Sequence, residues 1–344
     1  MTVETRTYRI AAIDPDDRAA LDASYEIRRT ARALDVPDLP PVCRYRHDAA
    51  FRVPWPGNLD HHWLAYDGDQ PVGALSMSLP QLDNVDNAEI ELVVHPRSRR
   101  RGVGRALYGH AVAQVRDLGR KRLFAGTVGM IAGGPHRDTP GADFAAAMGM
   151  APALTDIRRR LDLNTFDTSG YDAMLADAWQ RAEGYSLVRW GDHAPDEYVA
   201  DVAYLDGRLM TDAPLGDLKW EAEKIDAARI REGEQARLKI GSRGYSTAVR
   251  HDATDRLVAL TSIALEHCNP EHGWQLITLV DPPHRGHRLG LISKIANLRY
   301  TLAAEPALKL IDTTNAESNS YMISINEQIG YRAVDSFTEW QAEF

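Results

Sequence analysis

Residues 91–107, Glu91-Leu-Val-Val-His-Pro-Arg-Ser-Arg-Arg-Arg-Gly-Val-Gly-Arg-Ala-Leu107, run an apolar strand into an Arg/Gly turn and then into a helix. Gly102 and Gly104 lack a Cβ, so backbone N–H groups there can approach an anion closely. The helix that follows aims the positive end of its dipole at the same place. Arg99, Arg100, Arg101 and Arg105 add charge-assisted donors, and Val103 starts the helix. The arrangement is a pyrophosphate cradle, and spacing decides which kind. A dinucleotide fingerprint needs a third glycine where Leu107 stands, and the P-loop pattern GxxxxGK[ST] is absent.

What remains, Val94-x-Pro96-x-x-Arg99-x-x-Gly102-x-Gly104, occurs again about 190 residues further on as Leu279-Val-Asp-Pro-Pro-His-Arg-Gly-His-Arg-Leu-Gly290. Pro282 stands for Pro96, Arg285 for Arg99 and Gly290 for Gly104, while Arg288 replaces the first motif glycine. Each copy follows a strand-like run and precedes an amphipathic helix. The pattern closely resembles motif A of the GCN5-related N-acetyltransferase (GNAT) superfamily, in which this turn holds the pyrophosphate of acetyl-CoA. Two copies in register resemble the tandem GNAT chains of actinobacterial metabolism. The resemblance implies an α/β (α+β) fold of two tandem GNAT domains, 1–165 and 166–344, each a mixed, mostly antiparallel central sheet flanked by helices. The turn-rich stretch from Asp162 to Gly170 reads as the linker.

Composition agrees with two α/β domains. The chain has 344 residues and 44% hydrophobic content, enough for two cores. A net charge of −9 argues against a nucleic-acid binder, so the arginine run is local. Cys43 and Cys268, far apart and outside any CxxC, indicate neither a disulfide framework nor a zinc site. No segment approaches ~20 continuous apolar residues, so the expectation is a soluble cytoplasmic protein without membrane partners.

Hydrophobic periodicity predicts a repeated series. In the first half, Thr5–Ile13 reads as a strand, Pro15–Leu34 as a helix, and His62–Tyr66 with Val72–Met77 as a hairpin. Strand Ala88–Val94, helix Val103–Leu118, strand Arg122–Thr127, a short helix at Asp143–Met148 and a strand near Ile157–Leu163 follow. The second half repeats the order from Tyr185–Trp190 to Phe337–Phe344, with helices over Asp196–Leu205, Glu221–Gln235, Leu289–Ala303 and Ser318–Glu327.

The resemblance also implies the chemistry. An amine attacks the acetyl thioester while pantetheine lies in a gap between the fourth and fifth strands, its carbonyl meeting fourth-strand N–H groups. By position these belong to Leu92, Val93 and Val94, and in the second copy to Leu279 and Val280. The second cradle would use Arg285, Gly286, His287, Arg288, Leu289 and Gly290, with Asn319 as a further candidate at the last helix. Asn315 and Asn319 also read as residues that cap and order that helix. Glu89 and Glu91, two apart on one strand face, are the candidate general bases; solvated surface carboxylates are the competing reading. The second strand, Gln275 to Val280, carries no acid, and with Arg288 in place of a glycine the C-terminal domain reads as a degenerate one while the N-terminal domain reads as the catalytic one.

The superfamily's usual tyrosine acid is missing from both halves: Ala145 stands at its place in the first and Asn326 in the second. A thiolate with a pKa near ~8.5 can leave and take its proton from water. The His pairs 61/62 and 284/287 lack a third ligand, so no metal is expected. Arg158–Arg160 reads as a solvated strand edge. The function expected is an acetyl-CoA-dependent N-acyltransferase acting in the N-terminal half on a small-molecule amine. The acids Asp83, Asp86, Glu89 and Glu91 would favour a cationic one. A protein or peptide N-acetyltransferase and a silent acyl-CoA sensor are the alternatives; a homo-oligomer is left open.

Overall fold

The structure is a computed structural model that describes residues 7–137 and 140–344. Its elements in chain order are β1 (Arg9–Ala12), α1 (Arg18–Asp35), α2 (Arg44–Ala50), β2 (Asn58–Asp67), β3 (Gln70–Pro80), β4 (Asn87–Val94), α3 (Val103–Asp117), β5 (Arg122–Gly129), α4 (Gly141–Ala147) and β6 (Ala151–Asp162). There follow α5 (Tyr171–Trp179), β7 (Tyr185–Trp190), α6 (Val199–Gly207), α7 (Leu209–Asp212), α8 (Ala227–Lys239), β8 (Ser242–His251), β9 (Arg256–Glu266), β10 (His272–Val280), α9 (Leu289–Ala304), β11 (Leu310–Ala316), α10 (Ser320–Gln328) and β12 (Arg332–Glu343). Thr5 and Arg6, the expected start of the first strand, lie outside the described residues.

The chain forms two compact units. The first comprises Met1–Thr155, Gly216–Trp220 and Ser336–Phe344, and the second Asp156–Leu215 and Glu221–Asp335. The sheet of the first unit runs β1-β2-β3-β4-β5-β12, and that of the second β6-β11-β10-β9-β8-β7. Each closing strand therefore belongs to the other half of the sequence. β12 pairs antiparallel with β5 from Ser336↔Gly129 to Glu343↔Arg122, and β6 pairs antiparallel with β11 from Asp156↔Ala316 to Asp162↔Leu310. A linear division at 165/166 does not express this exchange.

In the first unit the sheet buries both faces. α3 and α4 cover one, packing Leu107, Ala111 and Val115 on Leu75, Met77 and Ile90. α1 covers the other with Leu21 and Ile27 on Leu64 and Ala74. α1 starts where Asp17 accepts a hydrogen bond from the Ala20 N–H at 3.1 Å, three residues after the expected Pro15. In the second unit α5 and α9 cover one face, with Leu291, Ile292, Ile295 and Leu298 in the core, and α6 packs on the other.

Several expectations are corrected. Residues 221–226 are not helical, and α8 begins only after the Asp226 cap. Helices α2 and α5 carry too short an apolar stripe to stand out in the sequence. The arginine run is not a solvated edge: Arg158 and Arg159 are buried. Arg158 pairs with Asp312 at 2.8 Å and with Asp335, and Arg160 reaches Asp312 at 2.7 Å. Burial alone would raise the Asp312 pKa, but hydrogen bonds from Arg160 and His272 and the charges of Arg160 and Arg158 outweigh it and hold it at about 2. Neither cysteine is a free thiol, contrary to the reading of their spacing. No helix among the described residues is long and apolar enough to cross a membrane.

Candidate functional site

The first turn is fixed by its own backbone. A 3-10 turn over Pro96–Ser98 leads to Arg100 at φ 61° and Gly102 at φ 94°, both left-handed, before α3 begins. The N–H groups of residues 101–105 meet no protein acceptor among the described residues, as the first turn of a helix requires. A Cβ on Gly102 would meet only the Tyr8 ring, at 3.8 Å, so the mouth of the turn is open. Gly104 serves packing instead, since a Cβ there would stand 3.1 Å from Phe144 and its absence lets α3 approach α4. Open amides flanking left-handed residues form an anion nest.

The arginines divide. Arg99 does not face the nest with its side chain: it binds Asp35 through both terminal nitrogens, at 2.8 and 2.6 Å, and the Val94 carbonyl at 3.3 Å. It straps the turn to the end of α1. Arg100, Arg101 and Arg105 are exposed and form no ion pair among the described residues, so their side chains stand open to solvent at the turn.

The second turn repeats this geometry. Arg285 binds the Val280 carbonyl at 3.0 Å and Asp212 at 2.7 Å, the same strap from another helix. Gly286 at φ 89° matches Arg100, and Arg288 at φ 61° matches Gly102. Each copy thus holds one glycine and one arginine in the two left-handed positions, in opposite order. Arg288 adopts the left-handed conformation despite its Cβ, at a cost of about 1 kcal/mol. His287 gives Nδ1 to the Arg181 carbonyl at 2.8 Å, and His284 meets the Tyr185 hydroxyl at 2.9 Å. Leu289 and Gly290 open α9, where a Gly290 Cβ would meet Ile325 at 3.4 Å.

Strand pairing opens a cleft beside each turn. β4 pairs in parallel with β5 only over Asn87–Ile90, although both strands continue; Leu92, Val93 and Val94 lie beyond the parting. β10 pairs with β11 only over His272–Trp274, leaving Leu279 and Val280 on the parted segment. Backbone groups that lose a neighbouring strand seek other partners, and an extended polar ligand supplies them.

The two acids of β4 prove unequal. Val93 packs on the α1 cluster, so by strand alternation Glu89 and Glu91 face α1 too. Glu91 forms an ion pair with Arg28 of α1, whose other nitrogen donates to Ser76 at 2.7 Å. The Arg28 charge holds the Glu91 carboxyl below its usual range. Glu89 has no such partner among the described residues: burial among protein atoms, then the charges of Glu91 and Asp60, push its pKa up. Both carboxylates still reach solvent, as on the floor of an open cleft.

Asp60, absent from the sequence reading, lies in the same cross-strand row through Ser78, and burial raises its pKa as well. Its only sequence signal is alternation with His62 on β2. His62, hydrogen-bonded to Ser76 at 2.8 Å, is lowered to about 4 by burial and then by the Arg28 charge, so it is neutral at physiological pH. Asp86 pairs with Lys121 at 2.9 Å instead of standing free at the entrance.

In the second unit the matching residue turns away. A register shift in β10 between Gln275 and Thr278 sets Gln275 opposite Ile263, whose side chain lies in the α9 core. The bulge places Gln275 under α9, where its amide donates to Thr261 at 3.0 Å and to the Ser262 carbonyl at 2.7 Å. Asn319 caps α10, accepting from the Met322 N–H at 3.2 Å, so its side chain is committed to the helix. Asn326 donates to Asn315 at 2.6 Å, Tyr321 points to solvent, and Ala145 is buried.

The sequence model of the acetyltransferase (GNAT) family matches residues 26–130. The solved tandem GNAT protein from the clavulanic acid biosynthesis pathway is 33% identical, covers 98% of both chains and superposes with a TM-score of 0.83. A GCN5-related N-acetyltransferase from Sphaerobacter thermophilus is 14% identical, with 98% of this chain and 95% of that chain covered and a TM-score of 0.62. Saccharomyces cerevisiae N-myristoyltransferase with bound myristoyl-CoA shares the fold at 13% identity, with 97% and 78% covered and a TM-score of 0.57. Comparison with curated protein sequences gives no match.

Proposed function

The chain belongs to the GNAT family of acetyltransferases, and from that premise we propose that it transfers acetyl from acetyl-CoA to the amine of a small basic molecule, in the first unit. The supporting observation is the unpaired Glu89, with its raised pKa, one residue before β4 and β5 stop pairing at Ile90. An acyl-CoA laid along the parted strands would put its pyrophosphate on the amides of 101–105 and its thioester towards the apex. Arg100, Arg101 and Arg105 then serve its phosphates, while Arg99 holds the turn in place.

An amine arrives as an ammonium. Glu89 takes its proton, directly or through one water, and the freed nitrogen attacks the thioester carbon. The C–N bond forms, the attacking nitrogen gives its second proton to water, the C–S bond breaks, and the thiolate takes a proton from water, for which no tyrosine is needed. N–H groups of Leu92 to Val94 are the donors we assign to the developing oxyanion. Asp60 and Glu89 together favour a cationic acceptor, and Arg28 neutralises Glu91 so that the floor does not carry three unbalanced charges. The second turn, with the same backbone, is assigned as a second CoA cradle; its unit lacks a base at the position of Glu89.

The test is thiol release from acetyl-CoA with a panel of diamines, amino sugars and amino acids, comparing the native chain with Glu89→Gln. Glu89→Gln should lower kcat by roughly 10²-fold near neutral pH and leave CoA affinity intact, the deficit shrinking at high pH where the amine arrives neutral. An unchanged rate removes Glu89 from the mechanism; a preference for anionic acceptors removes the basic-substrate assignment.

A further inference from the structure

A short segment from the second half of the sequence, Gly216–Trp220, belongs to the first unit. The chain leaves the second unit after α7, lays these residues on the first, and returns before α8. The contacts are specific ones. Gly216 takes φ 56°, and a Cβ there would stand 2.5 Å from the Ala153 carbonyl oxygen, so only glycine lets the segment lie against the start of β6. The Asp217 N–H donates to that carbonyl at 2.9 Å. Gln341 of β12 donates to the Asp217 carbonyl at 3.0 Å and accepts from the Lys219 N–H at 3.2 Å. Asn87 of β4, with no exposed surface, gives its amide to the Lys219 carbonyl at 3.2 Å, and the Lys219 ammonium pairs with Glu343. A segment without regular structure is thus strapped to three strands.

The strap ends in Trp220, whose ring meets that of Phe124 edge-on with centroids 5.4 Å apart. Leu123 and Ala125 point into the α3 core, so Phe124 points to the other face of the sheet, as Glu89 does between Ala88 and Ile90. Register sets Phe124 directly beside Glu89, one residue before β4 and β5 stop pairing at Ile90. Neighbouring strands lie about 4.8 Å apart, so the base and the indole flank the same phenyl ring. Phe124 is 2% exposed, whereas Trp220 keeps part of its surface open. An open indole face is electron-rich: it attracts an ammonium and turns a carboxylate away. Lys219, the strap's own cation, is already paired with Glu343 and leaves that preference intact.

We propose that Trp220 is a specificity-determining residue of the first unit, the wall of its acceptor site, against which the arriving ammonium lies while Glu89 takes its proton. This rests on the reading of the first unit as an acetyltransferase of basic amines. Asp60, Ser78, Glu89 and Phe124 follow one another across β2, β3, β4 and β5 as a floor, and the strap supplies the wall at the β5 end of that row. The probes are diaminopentane and lysine, which adds a carboxylate to the same amine.

Thiol release by the full-length chain is compared among the native protein, Trp220→Leu, Trp220→Phe and Gly216→Ala. Trp220→Leu keeps an apolar side chain without a π face, so KM for diaminopentane should rise roughly two- to thirtyfold, the span of a cation–π contact. Its kcat and its acetyl-CoA affinity by calorimetry should stay as they are, and the preference for diaminopentane over lysine should narrow by a like factor. Trp220→Phe should restore most of the loss. Gly216→Ala keeps every side chain of the floor but displaces the strap, and should raise the same KM. A KM that does not move in Trp220→Leu, a loss confined to kcat, or a Trp220→Phe chain as impaired as Trp220→Leu overturns the proposal and leaves the transferase standing. If the native chain releases no thiol with either amine, the basic-amine reading falls and the proposal with it.

Discussion

Glu89 and Glu91 are the same residue type on the same strand face, and their partners alone assign them different work. Arg28 sits against Glu91 and takes it out of acid–base use, while Glu89 is left to the repulsion of Glu91 and Asp60. Glu91→Gln therefore has a signed consequence. Removing the Glu91 charge withdraws one cause of the raised Glu89 pKa, and the freed Arg28 guanidinium favours the Glu89 carboxylate further. The acid limb of the kcat/KM profile, set by Glu89 losing its proton as pH rises, should move to lower pH. KM for a cationic amine should rise, because Arg28 becomes an unneutralised charge on the floor. A stationary limb with unchanged KM in pH-rate profiles of Glu91→Gln would mean that the two carboxylates do not communicate. The pair of acids was legible in the sequence from a spacing of two; their division was not, because Arg28 lies on α1 and Asp60 on β2, and only strand register brings them to Glu89.

The turn between strand and helix is the most legible element, because Pro, Gly and Arg at fixed spacing constrain a short backbone locally. What spacing conceals is that two left-handed positions exist in each copy and that arginine occupies one of them each time, Arg100 in the first and Arg288 in the second. Counted by glycines alone, the second turn is one short, yet both left-handed positions are filled. If both arginines are strained, Arg288→Gly should stabilise the second unit by roughly 1 kcal/mol, seen as a higher denaturation midpoint at constant slope. Asp212→Asn should do the reverse, releasing the strap that Arg285 makes to α7. A midpoint unmoved by Arg288→Gly would show that the left-handed arginine costs nothing in this setting. The β10 bulge was equally hidden: one extra residue turns Gln275 to the opposite face, and the apolar alternation around it reads the same with or without the shift.

At the scale of the molecule, the exchange of closing strands is the feature that the sequence withholds. Both final strands alternate in the same way, so hydrophobic pattern cannot say whether β6 or β12 completes a given sheet; only pairing decides. The consequence is that the last nine residues, Ser336–Phe344, belong to the first unit. They pair along β5 from Gly129 to Arg122, and Trp340 joins the first unit's core while its indole N–H donates to Thr127 at 2.8 Å. Gly126 has no Cβ because the Phe337 ring lies over it. Losing a buried tryptophan costs about 3–5 kcal/mol by itself, a large part of the roughly 5–15 kcal/mol that holds a domain folded. A chain ending after Asp335 should therefore lose amide-exchange protection in β5 and CoA binding at the first turn, more than 200 residues away in sequence. Protection of α9 and the fold of the second unit should persist. Trp340→Ala supplies the milder variant, expected to lower the first unit's stability without abolishing it. If β5 stays as protected in the truncated chain as in the whole one, the closing strand is dispensable and the first unit ends, as its sequence suggests, at residue 165.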